Sequence, residues 1–247
     1  MPTSHRFFNW RQTALAIGLS VALPGAHAAL TVNATRIVYD SDKRNTSVLV
    51  ANPSERPYAV QTWVNTETDD TTTAVPILAS PTLFRLDPQK KQLVQLSALS
   101  NTLPQDRETL FYFNVQEIPH TDAKDENTLS IALRTRLKVF YRPSQLKGSP
   151  NDYIKDLRWS LREESGTLHL QVHNPSPYHY TFGRLEVING TQTEQIQSSA
   201  MALPMQTQSY SLGNIRTPRT PSVRFTTIND YGGSTAEIIQ PLQLAHP

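Results

Sequence analysis

The chain has 247 residues, with 23 lysines and arginines against 21 aspartates and glutamates, and it has no cysteine. This length can bury one large or two ordinary hydrophobic cores, and the lack of cysteine excludes disulfide scaffolds, thiolate metal sites and cysteine nucleophiles. With 9 glycines against 18 prolines, glycine-rich phosphate-binding loops are disfavoured and extended, proline-bounded segments are favoured.

The N-terminus has the pattern of a cleavable secretion signal. Two arginines precede an apolar run at residues 13–23, and Ala26 and Ala28 supply the small residues that a signal peptidase requires. The run is short for a bilayer span, so a membrane anchor or a buried helix is the weaker alternative. Removing residues 1–28 removes two arginines and no acid, which leaves 21 basic and 21 acidic side chains. We therefore expect an exported, neutral protein without membrane insertion and without a nucleic-acid partner.

The rest of the chain is predicted to be all-β. Short runs rich in β-branched and aromatic residues are separated by Asn, Asp and Pro breaks. The first half contains predicted strands at 30–39, 46–51, 59–64, 83–86, 92–96, 110–116 and 129–141. The second half contains predicted strands at 154–161, 168–173, 180–188, 199–203, 208–212, 223–228 and 236–244. Two sets of seven short strands indicate two immunoglobulin-like β-sandwiches of about 100 residues each.

A cluster of Ser, Gly and Pro at residues 143–151 indicates the break between the two domains. We predict a signal peptide at 1–28, a first domain at 29–147 and a second domain at 148–247. Trp63 lies in an apolar run of the first domain. It is predicted to be the core tryptophan of that sandwich, here without the disulfide that usually accompanies it.

The strand at 129–141, LSIALRTRLKVFY, is unusually long. It would extend about 43 Å, whereas common strands extend about 17–20 Å. Its odd positions are mainly apolar, beginning with Leu129, Ile131 and Leu133, and most of its even positions are polar. Periodicity alone favours these residues as part of their own core. The alternatives are a strand edge that is buried in a partner, or a bulge that reverses the facing midway.

Three motifs follow one another along the chain: PQDRETLFYFNVQEIP at 104–119, LKVFYRP at 137–143 and INDYGG at 228–233. Together they resemble the signatures of the PapD-like family, the periplasmic pilus (fimbrial) assembly chaperones of the chaperone–usher pathway. The resemblance implies two immunoglobulin-like domains in a boomerang arrangement with a cleft between them. The short segment before the long strand and the absence of a cysteine pair resemble the short-loop subclass.

The resemblance also implies roles for individual residues. Arg36 and Lys138 match the two cations that grip the C-terminal carboxylate of a pilus subunit, a role that suits charge-assisted hydrogen bonding. Glu108, Arg142 and Asp230 match a salt-bridge cluster that links the two domains.

Leu129, Ile131 and Leu133 match the alternating side chains of the donor strand that such chaperones lend to an incomplete subunit fold. Strand donation to pilins is a known mode of β-augmentation. Burying three such residues would be worth roughly 1.5–3 kcal/mol each. The carboxylate grip would mainly set the register, because a slip by one residue turns the apolar side chains away.

The sequence therefore predicts a non-enzymatic periplasmic chaperone, without cofactor or metal, that binds pilus subunits and delivers them to an outer-membrane usher. Self-association of the free protein through its strand edge stays open, since such edges often pair. The rival hypotheses are a two-domain pilus subunit or adhesin, and an exported hydrolase or metal-binding protein. His169 and His173 share a strand face, but no third metal ligand is evident beside them.

Overall fold

The chain folds into two β-sandwiches joined by a short connection. A computed structural model describes residues 30–70, 72–119, 132–198, 200–215 and 220–244. Within these ranges the regular structure is strand, apart from one turn of α-helix and one 3-10 turn. The predicted all-β class with two immunoglobulin-like sandwiches is confirmed.

The first sandwich consists of two sheets. In the described ranges its strands are β1 Thr31–Val32, β2 Arg36–Asp40, β3 Asn45–Ala51, β4 Tyr58–Asn65, β5 Ile77–Ser80, β6 Leu83–Leu86, β7 Lys91–Ala98, β8 Thr109–Pro119 and β9 Arg134–Arg142. One sheet has the order β1-β3-β7-β5 and the other has the order β2-β9-β8-β4-β6. In the second sheet β2 runs parallel to β9, which places Arg36 directly opposite Lys138.

The predicted strand at 30–39 is divided between the two sheets of this sandwich. The backbone N–H of Asn33 donates to the carbonyl of Leu49 at 3.2 Å, and its side-chain oxygen accepts from the N–H of Leu49 at 2.9 Å. The asparagine therefore ends the pairing of β1 with β3, and the chain crosses to the opposite sheet before β2 begins. A short polar side chain that bonds to backbone groups commonly interrupts a strand in this way.

Trp63 does not lie in the core of the first sandwich, so that prediction is wrong. On β4 the buried positions are Val60, Thr62 and Val64, and strand alternation turns Trp63 to the opposite face. There it is half-buried, with the guanidinium of Arg134 located 5.0 Å from its ring centre. The core is filled by smaller aliphatic residues together with Tyr39, Phe111, Phe113 and Tyr141.

The connection between the domains contains helix α1 Pro150–Tyr153 and a 3-10 turn at Ile154–Asp156. The N–H and the hydroxyl of Ser149 both donate to the carboxylate of Asp152, at 2.7 and 3.0 Å. This local bonding explains why the predicted strand at 154–161 begins as helix and becomes strand only at Arg158.

The second sandwich repeats the architecture. In the described ranges its strands are β10 Arg158–Glu164, β11 Thr167–Asn174, β12 Phe182–Asn189, β13 Gln192–Gln195, β14 Gln206–Ser211, β15 Pro221–Thr227, β16 Ile238–Pro241 and β17 Gln243–Leu244. The sheets have the orders β14-β11-β10-β17 and β13-β12-β15-β16. The core tryptophan is Trp159, whose ring lies 5.0 Å from that of Phe225 and 5.4 Å from that of Phe182.

Two further strand predictions in this half differ from the structure, and one strand has no predicted counterpart. The segment 236–244 is divided between β16 and β17, which belong to different sheets. Of 199–203, the described residues form only an isolated bridge between Ala202 and Tyr180. Strand β13, like β5 in the first domain, was not predicted because its sequence lacks apolar alternation.

Candidate functional site

The interface between the domains is centred on Arg142 at the end of β9. Its Nε donates to the Glu108 carboxylate at 2.8 Å, and its two terminal nitrogens donate to the two oxygens of Asp230 at 2.8 and 3.0 Å. The structure thus brings together all three residues that the sequence analysis grouped. Burial disfavours the charge of Arg142, but the two carboxylates outweigh it and raise the pKa of the guanidinium above its ordinary value.

Glu108 carries further contacts that the sequence analysis missed. The residue is only 4% exposed, and the second oxygen of its carboxylate accepts from the backbone N–H of His179 at 2.9 Å and lies 3.1 Å from the ring Nδ1. The N–H of Glu108 also donates to the carbonyl of Pro177 in the second domain at 2.9 Å. The PSPYH segment that supplies these groups lies within HNPSPYHYT at residues 173–181, which is a weaker echo of the family signatures.

Gly232 brings the loop after β15 against the first domain. Its φ of +86° is one that residues with a side chain rarely adopt. A Cβ atom at this position would lie 2.2 Å from the hydroxyl oxygen of Thr35. The glycine of the INDYGG motif therefore permits a close approach of the two domains beside the Arg142 cluster.

Arg36 and Lys138 lie side by side on the same face of the sheet as Arg142. Nη1 of Arg36 donates to the carbonyl of Ile228 at 2.8 Å, and Nζ of Lys138 lies 3.2 Å from the hydroxyl of Thr181. Both acceptors belong to the second domain, so the two cations face the cleft between the domains. Both side chains are half-buried.

These two cations differ from Arg142 in having no carboxylate partner among the residues that the structure describes. Nε of Arg36 is buried and has no hydrogen-bond partner there. Burial lowers the pKa of Lys138, and the nearby charge of Arg36 lowers it further. Burial also lowers the pKa of Arg36, against the opposing effect of Asp230. Such a pair is chemically suited to bind an anion, above all a carboxylate.

The first part of β9 forms a free strand edge next to these cations. On one side, β9 pairs with β8 without interruption from Arg134 to Tyr141. On the other side, β2 pairs with β9 only from Lys138 onward. The backbone of the residues before Lys138 is therefore open on its outer edge, in the part of the chain that the structure describes.

Leu133 lies just before this edge and is 54% exposed. It has the same parity as the buried residues Leu137 and Val139, so the interpretation that it fills its own core is wrong. The reason is that β2 pairs with β9 only from Lys138 onward, which leaves the part of β9 before Lys138 at the edge of the sheet, and the register of β9 with β8 contains no bulge. Leu129 and Ile131 lie outside the described residues.

The other candidate chemistry finds no support in the described residues. His173 lies 3.2 Å from the hydroxyl of Thr207 on the neighbouring strand. No group of three metal-ligating side chains occurs in the described ranges. In the same ranges there is no helix with the length and apolar character needed to cross a membrane.

The described residues form two adjoining immunoglobulin-like β-sandwiches, with two cations that lack a described carboxylate partner and a free strand edge beside the cleft, which defines a two-domain, all-β class of protein. Residues 29–147 match the family model for pili and flagellar-assembly chaperones, PapD N-terminal domain. Residues 152–239 match the model for the PapD C-terminal domain of pili assembly chaperones. The chain therefore belongs to the PapD-like family of pilus-assembly chaperones.

Individual relatives agree with this assignment. The chaperone protein PapD of Escherichia coli is 36% identical, over 85% of this chain and 86% of its own length. YadV of Escherichia coli K12, named as a probable fimbrial chaperone, is 33% identical over 92% of this chain and 97% of its own length. The crystal structure of the YadV chaperone matches with a TM-score of 0.75, covering 87% of this chain and all of that one.

A further structural match is the SafB chaperone of Salmonella enterica, solved in complex with the SafA pilin. Its TM-score is 0.75 at 23% identity, over 89% of this chain and 99% of that one. At this identity the match shows the shared fold. The family assignment supports the chaperone hypothesis and gives no support to the rival subunit, adhesin, hydrolase or metal-binding hypotheses.

Proposed function

We propose that this protein is a periplasmic chaperone that captures pilus subunits by lending them a β-strand and then delivers them to an outer-membrane usher. The observation that carries the proposal is the juxtaposition of two cations that lack carboxylate partners, Arg36 and Lys138, with the free edge of β9. Each feature supplies what the other lacks. The edge offers backbone groups to any strand, and the cations fix where that strand ends.

The cations are proposed to hold the C-terminal carboxylate of the subunit. Both are partly removed from water and neither has a carboxylate partner in the described residues, so a charge-assisted hydrogen bond there is stronger than on an exposed surface. The carboxylate is the one anion that every polypeptide carries at a fixed position. Its capture therefore sets the register of the whole paired strand, and a slip by one residue would turn every side chain to the wrong face.

The donor strand is proposed to comprise Leu129, Ile131 and Leu133, continued by the free edge of β9. The exposure of Leu133 supports its availability for a partner. Its burial in a subunit groove would contribute roughly 1.5–3 kcal/mol. Each backbone hydrogen bond along the edge would add about 0.5–1.5 kcal/mol. The same edge gives the free protein a route to self-association.

The cluster of Glu108, Arg142 and Asp230 is proposed to fix the angle between the domains and thereby the width of the cleft. We assign it no contact with the subunit, since the hydrogen bonds of Arg142 are directed to its two carboxylates. The chaperone is proposed to act without catalysis and without a cofactor. Residues 1–28 are proposed to direct its export.

Co-expression with candidate pilus subunits tests the proposal. We expect a soluble one-to-one complex that Lys138→Glu abolishes, because the substitution places a carboxylate where the subunit terminus would bind. Leu133→Asp should weaken capture by removing one donor side chain. Lys91→Glu makes the same charge change at an exposed position of the opposite sheet and is the matched control. An undiminished complex with Lys138→Glu, in a protein that remains folded, would remove the anchor assignment.

A further inference from the structure

The loop that follows β4 is held against the face of the sheet that carries Arg36 and Lys138, the two cations proposed to anchor the subunit carboxylate. Its described residues 66–70 read TETDD, and they carry three acidic side chains. Two arginines of β9, Arg134 and Arg136, hold this segment in place. Both lie on the stretch of β9 that precedes Lys138 and leaves its outer edge free.

Arg136 holds the start of the segment. Its guanidinium lies 3.8 Å from the centre of the Tyr112 ring, close enough for a cation–π contact. Its Nη2 donates to the carbonyl of Thr66 at 2.6 Å and to that of Glu67 at 3.2 Å. A stacked guanidinium with two backbone acceptors restricts the position of Glu67, although the Glu67 side chain itself is exposed.

Arg134 holds the other end of the segment. It forms an ion pair with Asp69, its Nε donates to the side-chain oxygen of Asn114 at 2.9 Å, and it lies over Trp63. The side-chain amide of Asn65 donates to Asp69 at 2.6 Å. Hydrogen bonds from Arg134 and Asn65 lower the pKa of Asp69 to about 2, so this contact persists over the whole physiological range.

This anchoring holds the backbone of Glu67 against Arg136, which lies two residues before Lys138 on the same face of β9. Tyr112, on which Arg136 stacks, is the direct cross-strand neighbour of Lys138. The charge of Glu67 raises the pKa of Lys138, in opposition to the larger effects of burial and of Arg36. It also adds to the rise that burial causes in the pKa of Tyr112. Glu67 is thus within electrostatic range of the anchor lysine.

We propose that residues 66–70 form a third wall of the carboxylate site and that Glu67 makes the site selective for a chain that ends in a neutral residue. This inference rests on the proposed function of Arg36 and Lys138. Asp230 acts on Arg36 and Glu67 acts on Lys138, so the positive charge that the two cations offer is reduced and suits a single terminal carboxylate. A terminal aspartate or glutamate would bring a second negative charge next to Glu67 and would be repelled.

The selectivity is tested with three synthetic peptides of the same alternating valine and threonine sequence, which can pair with the edge of β9. One ends in glutamine with a free carboxylate, one in glutamine carboxamide and one in glutamate with a free carboxylate. The wild-type protein should prefer the glutamine carboxylate over both others. Glu67→Gln should bind the glutamate peptide roughly twofold to fivefold more tightly, with a smaller gain for the glutamine peptide. Glu55→Gln removes an exposed carboxylate elsewhere in the same domain and should change neither affinity.

The possible outcomes separate this inference from the proposed function. If the wild-type protein does not distinguish carboxylate from carboxamide, the anchor assignment itself fails. If the wild-type protein does prefer the carboxylate over the carboxamide, the anchor assignment stands. The selectivity inference alone then fails if the wild-type protein shows no preference for the glutamine peptide over the glutamate peptide, or if Glu67→Gln leaves that preference unchanged. Arg136→Lys keeps the positive charge but loses the planar guanidinium that binds the carbonyls of Thr66 and Glu67. Because the loop would then be held less firmly, this substitution should reduce the preference for the glutamine peptide over the glutamate peptide.

A second measurement needs no peptide. The side-chain carbon and nitrogen resonances of Lys138 report its pKa in the free protein. Glu67→Gln should lower that pKa, because it removes the charge that favours the protonated amine. An unchanged titration of Lys138 would show that Glu67 is too distant to act on the site and would overturn the inference.

Discussion

Replacement of Arg142 by alanine should uncouple the two domains. The substitution leaves Glu108 buried, with only the backbone N–H and ring nitrogen of His179 near its second oxygen. Breaking a buried ion pair by removing one partner typically costs about 3–5 kcal/mol, because the remaining charge is uncompensated. Since His179 keeps one hydrogen bond to the carboxylate, we expect a cost at the lower end, about 3 kcal/mol. Asp230 is more exposed and adds little.

The two domains carry separate fluorescent reporters for this experiment. Trp63 lies on the first sandwich and Trp159 in the core of the second, and the third tryptophan, Trp10, lies in the predicted signal peptide. In the protein without residues 1–28, single replacement of Trp63 or Trp159 therefore leaves a probe for one domain. We expect the urea unfolding transitions seen by the two probes to coincide in the parent protein and to separate in Arg142→Ala. Arg162→Ala breaks an exposed pair with Glu164 and should cost at most about 1 kcal/mol. A loss below about 1 kcal/mol in Arg142→Ala, with coincident transitions, would refute the reasoning that this cluster joins the domains.

Two further predictions concern single positions. Gly232→Ala should weaken the contact between the domains by about 1–3 kcal/mol, because it combines a strained positive φ with a steric clash against Thr35. The control is Gly190→Ala, at a similar φ but with open space around the new Cβ atom. Equal losses of stability in the two variants would contradict the close approach of the domains at Gly232. Burial raises the pKa of Glu117 in the folded protein, against a smaller opposing hydrogen bond from the N–H of Leu133. The folded state therefore binds this proton more tightly than the unfolded state, and stability falls as the pH rises through the window above the unfolded value. Glu117→Gln should accordingly stabilise the protein at pH 7 but not at pH 4 in urea titrations, and an equal effect at both values would contradict this sign.

Strand alternation predicted most of the fold and failed where individual side chains redirect the chain. The segment 30–39 has the composition of one strand, yet the side chain of Asn33 bonds to the neighbouring strand and divides it. The apolar run around Trp63 favours a core position, although its parity with Gln61 indicates the outer face. Arg134 covers that face, and a contact between residues so distant in the sequence has no signal in local composition.

The candidate site was predictable only through motifs. Composition and periodicity cannot distinguish Arg36 from any surface arginine, and its position opposite Lys138 depends on the parallel pairing of β2 with β9. The contact of His179 with Glu108 depends on how the two domains meet. Glu67 gave no signal either, because its position depends on the hydrogen bond from Arg136 to its backbone carbonyl.

The contrast between Lys138 and Arg142 separates the roles of two cations on one strand. They lie four residues apart on the same face of β9, and each lies opposite a residue of β2. Arg142 has two carboxylate partners, and its charge is stabilised within the free protein. Lys138 is also partly buried, but its described hydrogen-bond partner is a neutral hydroxyl, and its pKa is lowered. Within the described residues, the fold neutralises the charge of Arg142 but gives Lys138 no carboxylate partner, so the charge of Lys138 is retained at a cost in stability. A carboxylate supplied by a partner would offset that cost, so its binding at Lys138 should also stabilise the cleft between the domains.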